Sequence, residues 1–212
     1  MKDQLDWQNL LEKLSQASDE DAVEAAKLLS QQDHEQSILS LIQFARSKQP
    51  PYRRELALYA LAWMHNSQFI DTFIQVLGDL SEVENVRGQA AEALGMLFDQ
   101  NSGQIYYHKA ESALLEHISD SSPVVRFWCC YGLGNMRSHR AVEQLKAIQA
   151  QDHVLCPGWW YVSKEAEDAL ARIAGQGNND STLANLATFA EEDRVLAELG
   201  MSDYTAMLEQ ED

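Results

Sequence analysis

The sequence predicts an all-α solenoid of about five stacked helix pairs. Three observations carry that expectation: a ten-residue pattern recurs five times, small and large apolar residues alternate at fixed columns inside it, and every proline falls just ahead of a copy. Each helix follows from one of them.

The copies lie at 21–30 (DAVEAAKLLS), 53–62 (RRELALYALA), 86–95 (VRGQAAEALG), 125–134 (VRFWCCYGLG) and 162–171 (VSKEAEDALA), with starts 32, 33, 39 and 37 residues apart. Such a step leaves room for two short helices and two turns. Four residues past each start stand Ala25, Ala57, Ala90, Cys129 and Ala166, all small; eight past stand Leu29, Leu61, Leu94, Leu133 and Leu170. Offsets of four and eight fall in one stripe of a 3.6-residue helix, so the leucine reaches the core while the small residue admits a neighbouring helix. The ninth column is small again, with Ser30, Ala62, Gly95, Gly134 and Ala171.

Pro50 and Pro51, Pro123 and Pro157 precede three of these copies, where a missing N–H costs least, and Asp120-Ser121-Ser122 offers N-caps to the fourth. Between the copies run second amphipathic stretches: Ile38, Leu41, Ile42; Ile70, Phe73, Ile74, Leu77; Ala110, Ala113, Leu114, Ile118; and Val142, Leu145, Ile148. A further run, Leu183, Leu186, Ala187 and Ala190, would close the last pair. Leu5, Trp7, Leu10, Leu11 and Leu14 suggest an N-terminal capping helix. The expected organisation is therefore a capping helix over residues 1–18, a repeat array over 19–190, and an acidic helix or tail over 191–212.

The VRxxAAxALG form of 86–95, and the related 125–134, resemble HEAT repeats of the short, bilin-lyase-like class. The resemblance spans residues 19–190 and implies a right-handed α-α superhelix of the armadillo type. The first and last copies depart from it: Ala22 and Ser163 replace the arginine, and Leu28 stands where the others carry Ala or Gly. Terminal repeats of a solenoid are expected to be atypical because they cover an open core. Arg54, Arg87 and Arg126 recur at one position and are expected to pair with acids or carbonyls of the adjacent repeat.

Acidic residues outnumber basic ones 33 to 16, for a net charge of −17, and residues 178–212 carry nine carboxylates against Arg194 alone. That field repels phosphate backbones, so direct nucleic-acid binding is not expected. No apolar run approaches the roughly 18 residues that would cross a bilayer, and the N-terminus does not read as a signal peptide, so a soluble, unprocessed, cytoplasmic protein with no membrane association is expected. Cys129, Cys130 and Cys156 form no CxxC or Cys/His spacing, and no disulfide framework or metal site is signalled.

Chemistry known among resembling families finds little support in these residues. Deoxyhypusine hydroxylases use repeated His-Glu pairs for iron, whereas here His34-Glu35 stands alone and away from a repeat start. Repeat-built DNA glycosylases need a cationic face, the opposite of this charge. A nucleophilic Cys129 or Cys130 would lie within an apolar stripe, away from the electropositive setting that a thiolate needs. No cofactor is called for, and no catalytic residue is nominated.

The remaining unusual feature is aromatic: Phe127, Trp128 and Tyr131 in the fourth copy, then Trp159, Trp160 and Tyr161 before the fifth. They either fill the junction left by the long step or form a protein-contact surface. The expected function is a non-catalytic protein-binding scaffold, an adaptor or immunity-type inhibitor, whose partner is another protein with a basic surface. The alternative is a bilin-lyase-like protein that handles a chromophore on its carrier.

Overall fold

In the computed structural model, residues 7–32, 34–64, 66–97 and 104–175 are described. Among them are ten α-helices: α1 (Trp7–Gln16), α2 (Asp19–Leu29), α3 (Glu35–Ala45), α4 (Pro51–Trp63), α5 (Ile70–Gly78), α6 (Glu84–Met96), α7 (Gln104–His117), α8 (Pro123–Asn135), α9 (Val142–Gln151) and α10 (Val162–Ile173). Short 3-10 turns, Ser67–Phe69 and His139–Ala141, lead into α5 and α9. The architecture is the expected all-α solenoid, and the five recurring segments are α2, α4, α6, α8 and α10.

These even-numbered helices pack in succession, α2 on α4, α4 on α6, α6 on α8 and α8 on α10. The columns explain how. Ala25, Ala57, Ala90, Cys129 and Ala166 are all buried, and Leu29, Leu61, Leu94 and Leu133 have no exposed surface, while Leu170 of the last helix is partly covered. The closest approaches use glycine. A methyl group built on Gly95 would lie 2.3 Å from the Cα of Gly132, and one on Gly134 would lie 2.7 Å from the Cα of Ala169. Neither interface could close around a larger residue.

The odd-numbered helices each pack on the even helix that follows: α1 on α2, α3 on α4, α5 on α6, α7 on α8 and α9 on α10. The sequence reading set each recurring segment first in its pair. The packing sets it second: α1 rests on α2 as the other odd helices rest on the even helices that follow them, and five pairs are complete by Ile173. The periodic pattern is the same in either phase, which is why spacing alone leaves it open. The expected run over 183–190 and the acidic segment 191–212 lie outside the described residues.

Helix entrances are fixed locally. Ser18 caps α2 by accepting from the Asp21 N–H, with Asp19, Glu20 and Asp21 in the first turn, where the helix dipole favours negative charge. Pro51 and Pro123 occupy the first position of α4 and α8. Pro157 differs from the expectation, because it lies five residues ahead of the start of α10. It sits with Gly158 at the centre of a turn in which the Trp159 N–H donates to the Cys156 carbonyl at 3.0 Å, and Gly158 takes φ +77°. Pro followed by a positive-φ Gly is the requirement of a type II turn. Ser122, expected to cap α8 through its side chain, instead donates its hydroxyl to Glu84 at 2.6 Å.

The recurring arginines join successive pairs. Arg54 donates to the Gln49 carbonyl and pairs with Glu82. Arg87 donates to the Leu77 carbonyl at 2.9 Å and pairs with Asp120 at 2.5 Å; Arg126 donates to the Asp120 carbonyl and pairs with Asp152 at 2.6 Å. Each arginine thus ties a carbonyl from the end of the preceding odd helix or the turn after it to a carboxylate in the connection that leads to the next even helix. The Arg87–Asp120 pair is nearly closed to solvent, so losing one partner leaves the other buried and uncompensated.

Two stability outcomes are expected in urea unfolding. Leu94→Ala or Leu133→Ala should cost about 2–5 kcal/mol, since both side chains are fully enclosed. Arg87→Ala should cost about 3 kcal/mol or more by stranding Asp120. An unchanged midpoint in either case would contradict the orientations described.

Candidate functional site: an aromatic and acidic corner on the even-helix face

Positions three and six residues past each repeat start point along one face of the even-numbered row. On α4, α6 and α8 the sixth-column residues are Tyr59, Glu92 and Tyr131; the third-column residues of α6, α8 and α10 are Gln89, Trp128 and Glu165. The stacking of the helices turns this sequence period into a surface.

The loop between α9 and α10 folds back onto it. Besides the turn at Pro157-Gly158, the Cys156 N–H donates to the Trp160 carbonyl at 3.1 Å, and Leu155 and Tyr161 form a single antiparallel bridge. This small hairpin presents Trp159 and Trp160 to α8. Phe127 lies 5.8 Å from Trp159 and 5.5 Å from Trp160, centroid to centroid; Trp128 lies 5.0 Å from Trp159 at 80° and 5.4 Å from Tyr131 at 83°. Edge-to-face contacts of this kind set neighbouring rings as perpendicular walls.

The structure therefore gathers five of the six expected aromatics into one cluster. Phe127 is 1% exposed and forms its floor, whereas Trp128, Tyr131, Trp159 and Trp160 are half-buried. Tyr161 does not join them: it is 53% exposed and turns to a separate shallow recess beside His153 and Lys164.

Beside the aromatic walls lies a cleft of about 270 Å³, lined by Glu55, Gln89, Glu92, Trp128, Pro157 and Trp159 among others. Its two carboxylates were not singled out by sequence reasoning. The available signal was Glu92 standing where Tyr59 and Tyr131 stand in the flanking repeats. Burial pushes the Glu92 carboxyl up to about 7, against the opposing effect of a 2.5 Å hydrogen bond from the Gln89 amide, and burial likewise raises Glu55. Among the described residues neither forms a salt bridge. Glu165, at the far side of the cluster, is also raised to about 7 by burial, although Arg172 at 2.5 Å and the Trp160 indole at 3.1 Å both favour its charged form.

The three cysteines lie in settings unfavourable to a nucleophile. Cys129, Cys130 and Cys156 are free and buried, and burial raises all three thiols, that of Cys156 to about 12. A thiolate nucleophile is suppressed at neutral pH by such desolvation. No group of three or more potential metal ligands occurs among the described residues, and no described helix is long and apolar enough to cross a membrane.

Comparison with known proteins gives the class of the fold. Residues 70–155, from α5 through the turn after α9, match the family model for HEAT repeats. That segment of the array has the HEAT-repeat form. A solved structure of the complex of CpcE and CpcF of phycocyanin lyase from Nostoc sp. is similar to this helical array with a TM-score of 0.64 at 20% identity, over 77% of this chain and 96% of that one. Human deoxyhypusine hydroxylase in complex with glycerol aligns at 21% identity over 91% of this chain and 83% of that chain, with a TM-score of 0.34. No curated protein matches the sequence. The matched segment contains α6 and α8, which carry Gln89, Glu92 and Trp128 of the corner, while Glu55 and Trp159 lie on either side of it.

The pH response of stability follows from Glu92. Its folded pKa lies above the usual carboxylate value near 4.3, so the folded chain holds the proton more tightly, and this group's contribution to stability falls as pH rises from about 4.3 to about 7. Glu92→Gln should match the parent at about pH 4 and exceed it in urea midpoint at about pH 8. Parallel profiles for the two proteins would contradict the desolvated placement.

Proposed function

We propose that this protein is a non-catalytic scaffold that holds another protein, one with a basic surface, against the even-helix face. The observation that supports this most directly is the pairing of half-buried Trp128 and Trp159 with Glu55 and Glu92, two largely desolvated carboxylates that form no salt bridge among the described residues, although Arg54 lies close enough to Glu55 to favour its charge. Large aromatics supply contact area, and unpaired charge selects a partner of opposite sign. The net charge of −17 would steer such a partner from a distance. An adaptor, or an immunity-type inhibitor covering a basic toxin, fits this arrangement. Three buried, unpaired cysteines suit a reducing cytoplasmic setting.

A second reading, a bilin-lyase-like protein that handles a chromophore, is motivated by the fold shared with the phycocyanin lyase complex. The corner argues for the first. A bilin carries carboxylate side chains, which Glu55 and Glu92 would repel unless protonated.

Affinity capture with the purified full chain, at low and at moderate salt, tests the proposal. The expected catch is one basic protein in fixed stoichiometry, retained less well as salt rises, and held at least about 2 kcal/mol more weakly by Trp159→Ala. Absence of a partner at both salt levels, together with bilin uptake and transfer to a carrier, would replace the scaffold reading with the chromophore one.

A further inference from the structure

The cleft between α4, α6, α8 and the Trp159 hairpin is a built recess and not merely a cluster of acids. Its walls are chemically distinct on each side. Trp128 and Trp159 stand at 80° to one another, 5.0 Å between centroids, and give the recess two flat apolar faces meeting at a corner. The same lining includes Glu92 from α6 and Glu55 from α4, so the two carboxylates come from different helices of the row. Gln89 occupies one oxygen of Glu92, and the other is left for an incoming donor. Asn85 adds a carboxamide to the same lining.

We propose that this corner is a socket for an arginine side chain of the protein partner, the guanidinium lying flat on an indole and donating to Glu92 and Glu55. This rests on the scaffold reading and deepens it by naming the group that is recognised. Four features favour guanidinium over other ligands. Its face stacks on an indole, its edge presents five donors to acceptors set on several sides, it is weakly hydrated and so tolerates a desolvated site, and it stays charged throughout the physiological range. An ammonium ion has the charge without the plane. An anion is refused by both glutamates, and a neutral apolar side chain would bury them without a counter-charge.

The socket also accounts for the raised carboxyls. Water is largely removed from Glu92 and Glu55 before a ligand arrives, so much of their desolvation is already made in the free protein. An arriving cation gains their attraction at a reduced desolvation cost.

The test needs no partner. Acetyl-glycyl-arginyl-glycinamide is titrated into the nitrogen-15-labelled full chain while the indole N–H resonances of Trp128 and Trp159 are followed by NMR, with the glutamine and lysine peptides as comparisons. The arginine peptide is expected to shift both indoles saturably, the lysine peptide to bind several-fold more weakly, and the glutamine peptide not to bind. Glu92→Gln and Glu55→Gln, tested separately so that one folded variant suffices, should each weaken arginine binding about tenfold or more. No saturable shift, equal binding of arginine and glutamine, equal binding of arginine and lysine, or full affinity in both variants would overturn the socket. Such a failure would leave a captured basic partner standing, and a failed capture would leave the peptide result standing, so the two inferences are separable.

Discussion

Backbone contact between successive even-numbered helices is the constraint on which the rest of the structure depends. At Gly95 against Gly132, and at Gly134 against Ala169, there is no room for a side chain between the helices. That closeness lets five short helices, each too short to be stable alone in water, form one continuous layer with their leucines enclosed. The odd-numbered helices then cover the leucines from the other side, and the arginines lock the turns between pairs. The repeated unit is held by apolar burial, and its translation along the array is held by small residues and buried ion pairs.

Function inherits its geometry from that layer. A repeat array places the same column of successive helices along one line, so exchanging a residue in one copy alters one point on a surface without altering the packing beneath it. Glu92 between Tyr59 and Tyr131 is such an exchange, and so is Trp128 where α6 carries Gln89. The hairpin over Leu155–Tyr161 supplies what the repeats do not, a second indole set across the end of the cleft. Phe127 anchors it from the core. The aromatic group is therefore divided between support and surface, with Phe127 doing the first and Trp128 and Trp159 sharing both.

Much of the fold was legible because periodicity reports directly on packing. The leucine and small-residue columns and the arginine series have the roles that their spacing implies, and the expected helices coincide with the observed ones across the described residues. The pairing phase was hidden, since a two-helix repeat reads the same whichever helix is counted first, and only contacts show α1 resting on α2. Pro157 was read as a helix entrance because proline suits both a first helical turn and a tight turn. Its neighbour Gly158 decides for the latter. The site was legible by half. Its aromatics stand out in the sequence, but Glu55 and Glu92 look like any solvated acids until the stacking removes water from them.

The most direct measurement is the thermal and urea stability of Gly95→Ala and Gly132→Ala. In a helix with open space beside it, replacing glycine by alanine should raise stability by up to about 1 kcal/mol. Here a methyl group on Gly95 would meet the Gly132 backbone at 2.3 Å, and one on Gly132 would meet Leu114 at 2.9 Å. Gly95→Ala is expected to be less stable than the parent, because the obstacle is backbone, and Gly132→Ala, which meets the movable end of a side chain on α7, is expected to lose less. A gain in stability, or no change, at Gly95 would mean that the helices of the row do not touch as described.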